Sequence, residues 1–239
     1  MELIWEGIKK AVLLLITGDR EVIEIALLSL KVSGGAVLIS ILLGIPLGMF
    51  LALTSFPGRR ILVAAVNTGM GLPPVVAGLF VCMFLWRSGP LGFFGVLYTP
   101  TAMVIAQVLI AAPIVAGLTI AAIQQLDPEL RLQALSLGAS RGQMLVTLIK
   151  EARLPTLAAI MAGFGGVISE VGAVMMVGGN IKGQTRVLTT ATVMETRMGH
   201  FDIAIALSVI LLVLAFIVNL ILTEIQQRGA APWIIRTWR

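Results

Sequence analysis

The sequence predicts an all-α integral membrane protein with about five transmembrane helices, an N-terminal interfacial helix and a charged cytoplasmic segment between the third and fourth spans. Three observations carry that prediction. Apolar residues make up 58% of the 239-residue chain and charged residues only 12%, with a mean hydropathy of +1.03. A soluble fold so poor in charge could not cover its surface. Several charge-free runs are long enough to cross about 30 Å of hydrocarbon as helices. One long stretch breaks the pattern, residues 127–155, which is rich in charge and in helix formers. We read residues 1–239 as a single transmembrane domain.

Residues 1–20 set Glu2, Glu6, Lys9 and Lys10 among Leu3, Ile4, Trp5 and Ile8. Their uninterrupted apolar run is too short to span a bilayer, and they lack the basic start and small-residue cleavage site of a signal peptide. An interfacial helix with Trp5 at headgroup depth is expected. Five longer runs follow, residues 32–53, 61–86, 88–126, 154–181 and 203–223. The third opens on Gly89, Pro90 and Gly92, which mark a loop, so its helix is expected to begin near Thr101. The fourth carries one charge, Glu170, and the others carry none.

Orientation follows from the distribution of Lys and Arg. With residues 127–155 inside, nine cations are cytoplasmic (Arg59, Arg60, Arg131, Arg141, Lys150, Arg153, Arg228, Arg236, Arg239) and eight are external. The tight turn at Pro57-Gly58-Arg59-Arg60 also suits a cytoplasmic first loop. The N-terminus is therefore expected outside and the C-terminus inside. The +5 net charge is accounted for by such loops, which removes the argument for a nucleic-acid partner.

Helix breakers recur inside the runs: Gly44, Pro46 and Gly48; Gly69, Gly71, Pro73 and Pro74; Pro113 and Gly117. Close packing through small residues is the expectation for most of these glycines. Two adjacent prolines at 73 and 74 predict a real break, which makes Pro73 and Pro74 candidate gate residues.

Catalytic chemistry is poorly represented. The chain has one histidine, His200, and one cysteine, Cys82, so a disulfide, a thiolate cluster and most His-based metal sites are excluded, and no metal site is expected. No Ser-His-Asp set can be assembled. Residues 178–185 carry phosphate-loop glycine spacing, but Gln184 stands where lysine must reach the phosphates. Glu170 is an ionisable group deep in a span, where it is expensive unless paired or wetted. It is either a hydrogen-bonded tie between helices, part of a pathway, or a proton site. After it, Gly172, Gly178, Gly179 and Asn180 allow close backbone approach, and N–H groups in such turns favour anions.

Residues 127–155 read as two helices. Asp127 caps the first, Pro128 opens it, and Glu129 suits its positive end. Gly138-Ala139-Ser140 interrupts it, and Ser140 caps a second helix, about 141–153, that stops before Pro155. A segment this ordered has a contact to make on the water side. Here the chain resembles the permease subunits of ATP-binding-cassette importers. Their cytoplasmic motif begins Glu-Ala-Ala, continues to a glycine and ends at Leu-Pro. Leu132-Gln133-Ala134, Gly138 and Leu154-Pro155 occupy those places. Leu132 stands in for the glutamate, and the stretch to Leu154-Pro155 is about one helical turn longer. Residues 168–174 (ISEVGAV), Gly178-Gly179-Asn180 and residues 185–190 (TRVLTT) resemble the oxyanion permeases, the tungstate branch ahead of molybdate or sulfate.

The resemblance implies a homodimer in a prokaryotic cytoplasmic (inner) membrane, two partner ATPase subunits that carry ATP and magnesium, and an extracytoplasmic binding protein that delivers the oxyanion. No cofactor would be bound by this chain, and the chain itself would not be an enzyme. Glu129, Arg131, Gln133, Ala134, Gly138, Ala139, Ser140 and Arg141 would dock on the ATPase as a coupling helix segment. Pro73, Pro74, Ser169, Glu170, Gly172, Gly178, Gly179 and Asn180 would line or gate the pathway. The competing class is a proton-coupled secondary transporter using Glu170, against which the lack of a visible internal repeat counts.

Overall fold

The computed structural model describes residues 2–229, and the regular structure in them is helical. Arg236 and Arg239, assigned to the cytoplasm from sequence, lie outside the described residues, as does the side chain of Arg228. Helix α1 (Glu2–Thr17) packs lengthwise on the start of the last helix, and the Lys10 ammonium pairs there with Asp202. Helix α2 (Arg20–Leu53) begins well before residue 32, the start of its charge-free run. Asp19 caps it through Val22 N–H, and its early charges stay wet. Glu21 pairs with Lys182 and Arg186, and Arg20 with Glu24. Absence of charge marks the part of a helix in lipid, not the end of the helix. At 34 residues, α2 is about 50 Å long and stands clear of the hydrocarbon.

The second run divides into α3 (Arg59–Met70) and α4 (Pro74–Leu85), bent by 105° where Pro73 and Pro74 stand. A loop with a 3₁₀ turn at Gly92–Phe94 leads to α5 (Pro100–Gln124), within one residue of the expected start. Pro46 and Pro113 lie inside α2 and α5 without ending them. These two helices form the central pair of the bundle. At residue 48 any side chain would put its Cβ 2.7 Å from the Ala116 carbonyl oxygen, so this glycine serves packing.

On the water side come α6 (Pro128–Ser136) and α7 (Arg141–Glu151). The fourth run is broken, into α8 (Arg153–Ile168) and α9 (Gly172–Gly178), bent by 58°. A further helix, α10 (Leu188–Arg197), lies in what reads from sequence as an outer loop, and α11 (Phe201–Gly229) closes the chain. Helices α2, α5 and α11 are each long and apolar enough to cross a membrane, and the number of candidate spans is up to five if each bent pair counts as one. Large apolar side chains face outward along them, with Leu42 72% exposed, as lipid contact requires.

Candidate functional site

Two regions hold the residues singled out from sequence. The first is the α6–α7 pair. Asp127 Oδ1 accepts the Glu129 N–H at 2.9 Å, filling one of the orphan donors of the first turn. At the other end Gly138 sits at φ +82°, the left-handed conformation that glycine adopts without steric cost. Its N–H reaches Leu135 O, and the Ala139 N–H reaches Ala134 O, the paired bonds of a Schellman ending. Ser140 and Gln143 then form a reciprocal capping box, Ser140 N–H to Gln143 Oε1 at 2.8 Å and Gln143 N–H to Ser140 Oγ at 3.3 Å.

Local chemistry thus sets the bend, and α7 anchors it. Met144 and Leu148 are buried against Met49, Ala122 and Ile123. Arg131 Nη1 donates to Leu53 O at 3.5 Å, tying the pair to the end of α2, where Arg59 Nε at the start of α3 also donates to Leu51 O at 2.6 Å. Glu129, Arg131, Gln133, Gly138, Ser140 and Arg141 are exposed, while Ala134 and Ala139 are half-buried. The pair also carries Leu132 at 64% and Leu137 at 88% exposure on the α6 side, and an exposed Val146 on α7. Sequence reasoning did not single out Leu137 or Val146. An apolar side chain in a charged segment on the water side was the available signal.

The second region joins the two broken spans. Helix α4 crosses α9 so closely that a Cβ at Gly78 would lie 2.6 Å from Ala173 Cα, and one at Gly172 would lie 2.8 Å from Val75 Cγ2. Pro73 is exposed at the start of α4 and Pro74 half-buried behind it. At the α8–α9 break, Ser169 is exposed and back-bonds to Gly165 O at 2.8 Å, whereas Glu170 is buried. Glu170 Oε1 accepts the Ala173 N–H at 2.8 Å, and its backbone carbonyl accepts Thr189 Oγ1 at 2.9 Å. The carboxylate thus fills an orphan donor in the first turn of α9, while the backbone carbonyl of the same residue, through Thr189, joins the break to α10.

Gln107, missed from sequence, donates its Nε2 to Val167 O at 2.9 Å and supplies a bond that the last turn of α8 lacks. An amide in a long apolar run is its signal in the sequence. Beyond α9, Gly179 and Asn180 both adopt positive φ, and the Tyr98 ring packs on Gly179. Thr185 braces this turn. Its hydroxyl donates to Gly178 O and accepts the Ile181 N–H. The N–H groups of Gln184, Thr185 and Arg186 all turn inward to Ile181 O. His200 is exposed and contacts Glu195 at 2.8 Å, away from both regions.

The comparisons with known proteins agree with this arrangement. Residues 44–234 match the family described as binding-protein-dependent transport system inner membrane component. The chain is 40% identical over 227 residues to the tungstate uptake system permease protein TupB of Peptoclostridium acidaminophilum, covering 95% of this chain and 100% of that one. It is 38% identical over 211 residues to a probable anion ABC transporter permease protein of Haloferax volcanii, covering 86% and 91%. Among solved structures, the inward facing MetNI methionine ABC transporter superposes with a TM-score of 0.70 at 18% identity, over 89% of this chain and 95% of that one, a likeness of fold. These relatives are transport components rather than enzymes. A multi-pass helical chain with two broken spans and an ordered water-side helix pair, matched by a family model over most of its length, belongs to the inner membrane components of binding-protein-dependent ATP-binding-cassette transport systems.

Proposed function

We propose that this chain is the permease subunit of an ATP-driven tungstate importer. The 40% identity to a tungstate uptake permease along nearly the whole chain carries the cargo assignment. Molybdate and sulfate are the alternative cargoes, as chemically similar tetrahedral oxyanions. Two copies enclose one pathway in a prokaryotic cytoplasmic membrane, with the N-terminus outside and the C-terminus inside. The outer face receives an extracytoplasmic binding protein. Helix α1 runs along the outer end of α11, with its Lys9 ammonium 5.5 Å from the Trp5 ring centroid.

The α6–α7 pair docks on the partner ATPase, with Glu129, Arg131, Gln133, Ala134, Gly138, Ala139, Ser140 and Arg141 as the coupling surface. The exposed Leu132 and Leu137 support this reading, since apolar side chains on a water-side face are what a protein partner covers. ATP-driven closure of the ATPases moves these helices, and the broken spans rock between two packings. In that cycle Pro73, Pro74, Ser169, Glu170, Gly172, Gly178, Gly179 and Asn180 lie at the gate or beside the pathway. Proton-coupled transport through Glu170 has less support, because its carboxylate is engaged by the Ala173 N–H. Uptake of radiolabelled tungstate, molybdate and sulfate by vesicles holding the complete transporter tests the proposal. ATP-dependent tungstate uptake, resisted only by a large molybdate or sulfate excess, is expected. A preference for a cation or an amino acid would refute it.

A further inference from the structure

Gln107 is 3% exposed and has one bond made and one missing. Its Nε2 donates to Val167 O, which fixes the orientation of the amide, because a carbonyl can face only the nitrogen. That orientation leaves Oε1 enclosed without a donor. A buried acceptor left so costs stability, and native proteins satisfy nearly all of them, often with water.

Beside Gln107 lies a small cavity between α2, α5 and the α8–α9 break, with room for about one water molecule. Its polar lining is Ser29, Ser33, Gln107, Glu170 and Thr189. The hydrogens there are largely committed elsewhere. The Ser29 hydroxyl donates to Ile25 O at 2.8 Å and accepts the Leu188 N–H, and the Thr189 hydroxyl donates to Glu170 O. What faces the cavity is an orphan amide oxygen, a carboxylate, the lone pairs of Ser29 and Thr189, and the Ser33 hydroxyl. The carboxylate and the orphan oxygen disfavour an oxyanion there, and a water can donate to both while accepting from Ser33.

We propose that this cavity binds one structural water, which donates to Gln107 Oε1 and to the Glu170 carboxylate. The water completes the break between α8 and α9, where the bend removes backbone hydrogen bonds, and joins it to α2 through Ser33. The proposed water does not depend on which cargo is carried.

The test is a cavity-filling double-mutant cycle read by the thermal midpoint of the full-length chain in its purified, assembled transporter. Ser33→Val adds bulk where the water sits and strands Gln107 Oε1. Gln107→Met removes the orphan acceptor at nearly constant shape. The expected result is that Ser33→Val lowers the midpoint by about 2–4 °C in the native background, the shift of one lost buried hydrogen bond. In the Gln107→Met background the loss shrinks by at least half. A midpoint raised or unchanged by Ser33→Val in the native background would mean a dry cavity and overturn the proposal. An equal loss in both backgrounds would mean simple overpacking and also overturn it. So would a native midpoint that rises in sodium chloride but not in choline chloride at equal ionic strength, since that identifies a bound cation instead.

Discussion

The two broken spans reach similar shapes by different means. Between α3 and α4 the chain bends by 105° with no side-chain cap at either new end. Its backbone looks after itself: Gly71 N–H reaches Thr68 O, Leu72 N–H reaches Gly69 O, and Val76 N–H reaches Pro73 O. Between α8 and α9 there is no proline, the bend is 58°, and side chains, one local and two from other helices, hold it. Glu170 fills the Ala173 N–H, Gln107 comes from α5, and Thr189 from α10. The first break is therefore held by its own backbone, whereas the second depends in part on tertiary contacts.

The second halves of both spans meet where Gly78 crosses Ala173, and that crossing is where the comparison breaks most easily. Gly78→Leu forces apart backbones that already exclude a Cβ at 2.6 Å, and the expected cost is about 3 kcal/mol or more. Loss of the assembled transporter on size-exclusion chromatography would show it. Next comes Glu170→Ala, which leaves the Ala173 N–H unpaired at about 1–3 kcal/mol. Glu170→Gln keeps an acceptor oxygen and is expected to recover most of that stability in a thermal-unfolding series. Equal damage from both variants would show that the carboxylate charge, not the cap, is needed. The smallest effect is expected from Pro73→Ala, about 0.4–1 kcal/mol through the unfolded chain. Spin-label distances between α3 and α4 are expected to stay unchanged, because the turn bonds there are between backbone atoms. A straightened span would show that Pro73 alone makes the bend.

What was legible in the sequence divides along the same line. Asp127, Gly138 and Ser140 act within a few residues of themselves, so the two helices of the water-side segment and the bend between them could be written down from the sequence. Pro73 and Pro74 announce their break for the same reason. Glu170 was visible as an anomaly, a charge in a span, but its job depends on where α9 begins, which no local signal states. Gln107 and Thr189 act across 60 and 19 residues, and such pairings exist only once the bundle has formed. Helix α10 is similar: Leu188, Thr189, Thr190 and Ala191 are buried by their neighbours rather than by a periodic pattern of their own. The early start of α2 was hidden because its first turns are charged and paired with Lys182 and Arg186.

The central claim is that an ATPase drives these broken spans through the α6–α7 pair. Leu137 tests it most directly, since at 88% exposure it contributes little to the fold of this chain. Leu137→Asp is expected to leave the permease folded and inserted, and to lower ATP-driven tungstate uptake in reconstituted vesicles by about tenfold or more, the loss typical of a central interface contact. Undiminished uptake by that variant, or uptake that follows a proton gradient without ATP, would contradict the account.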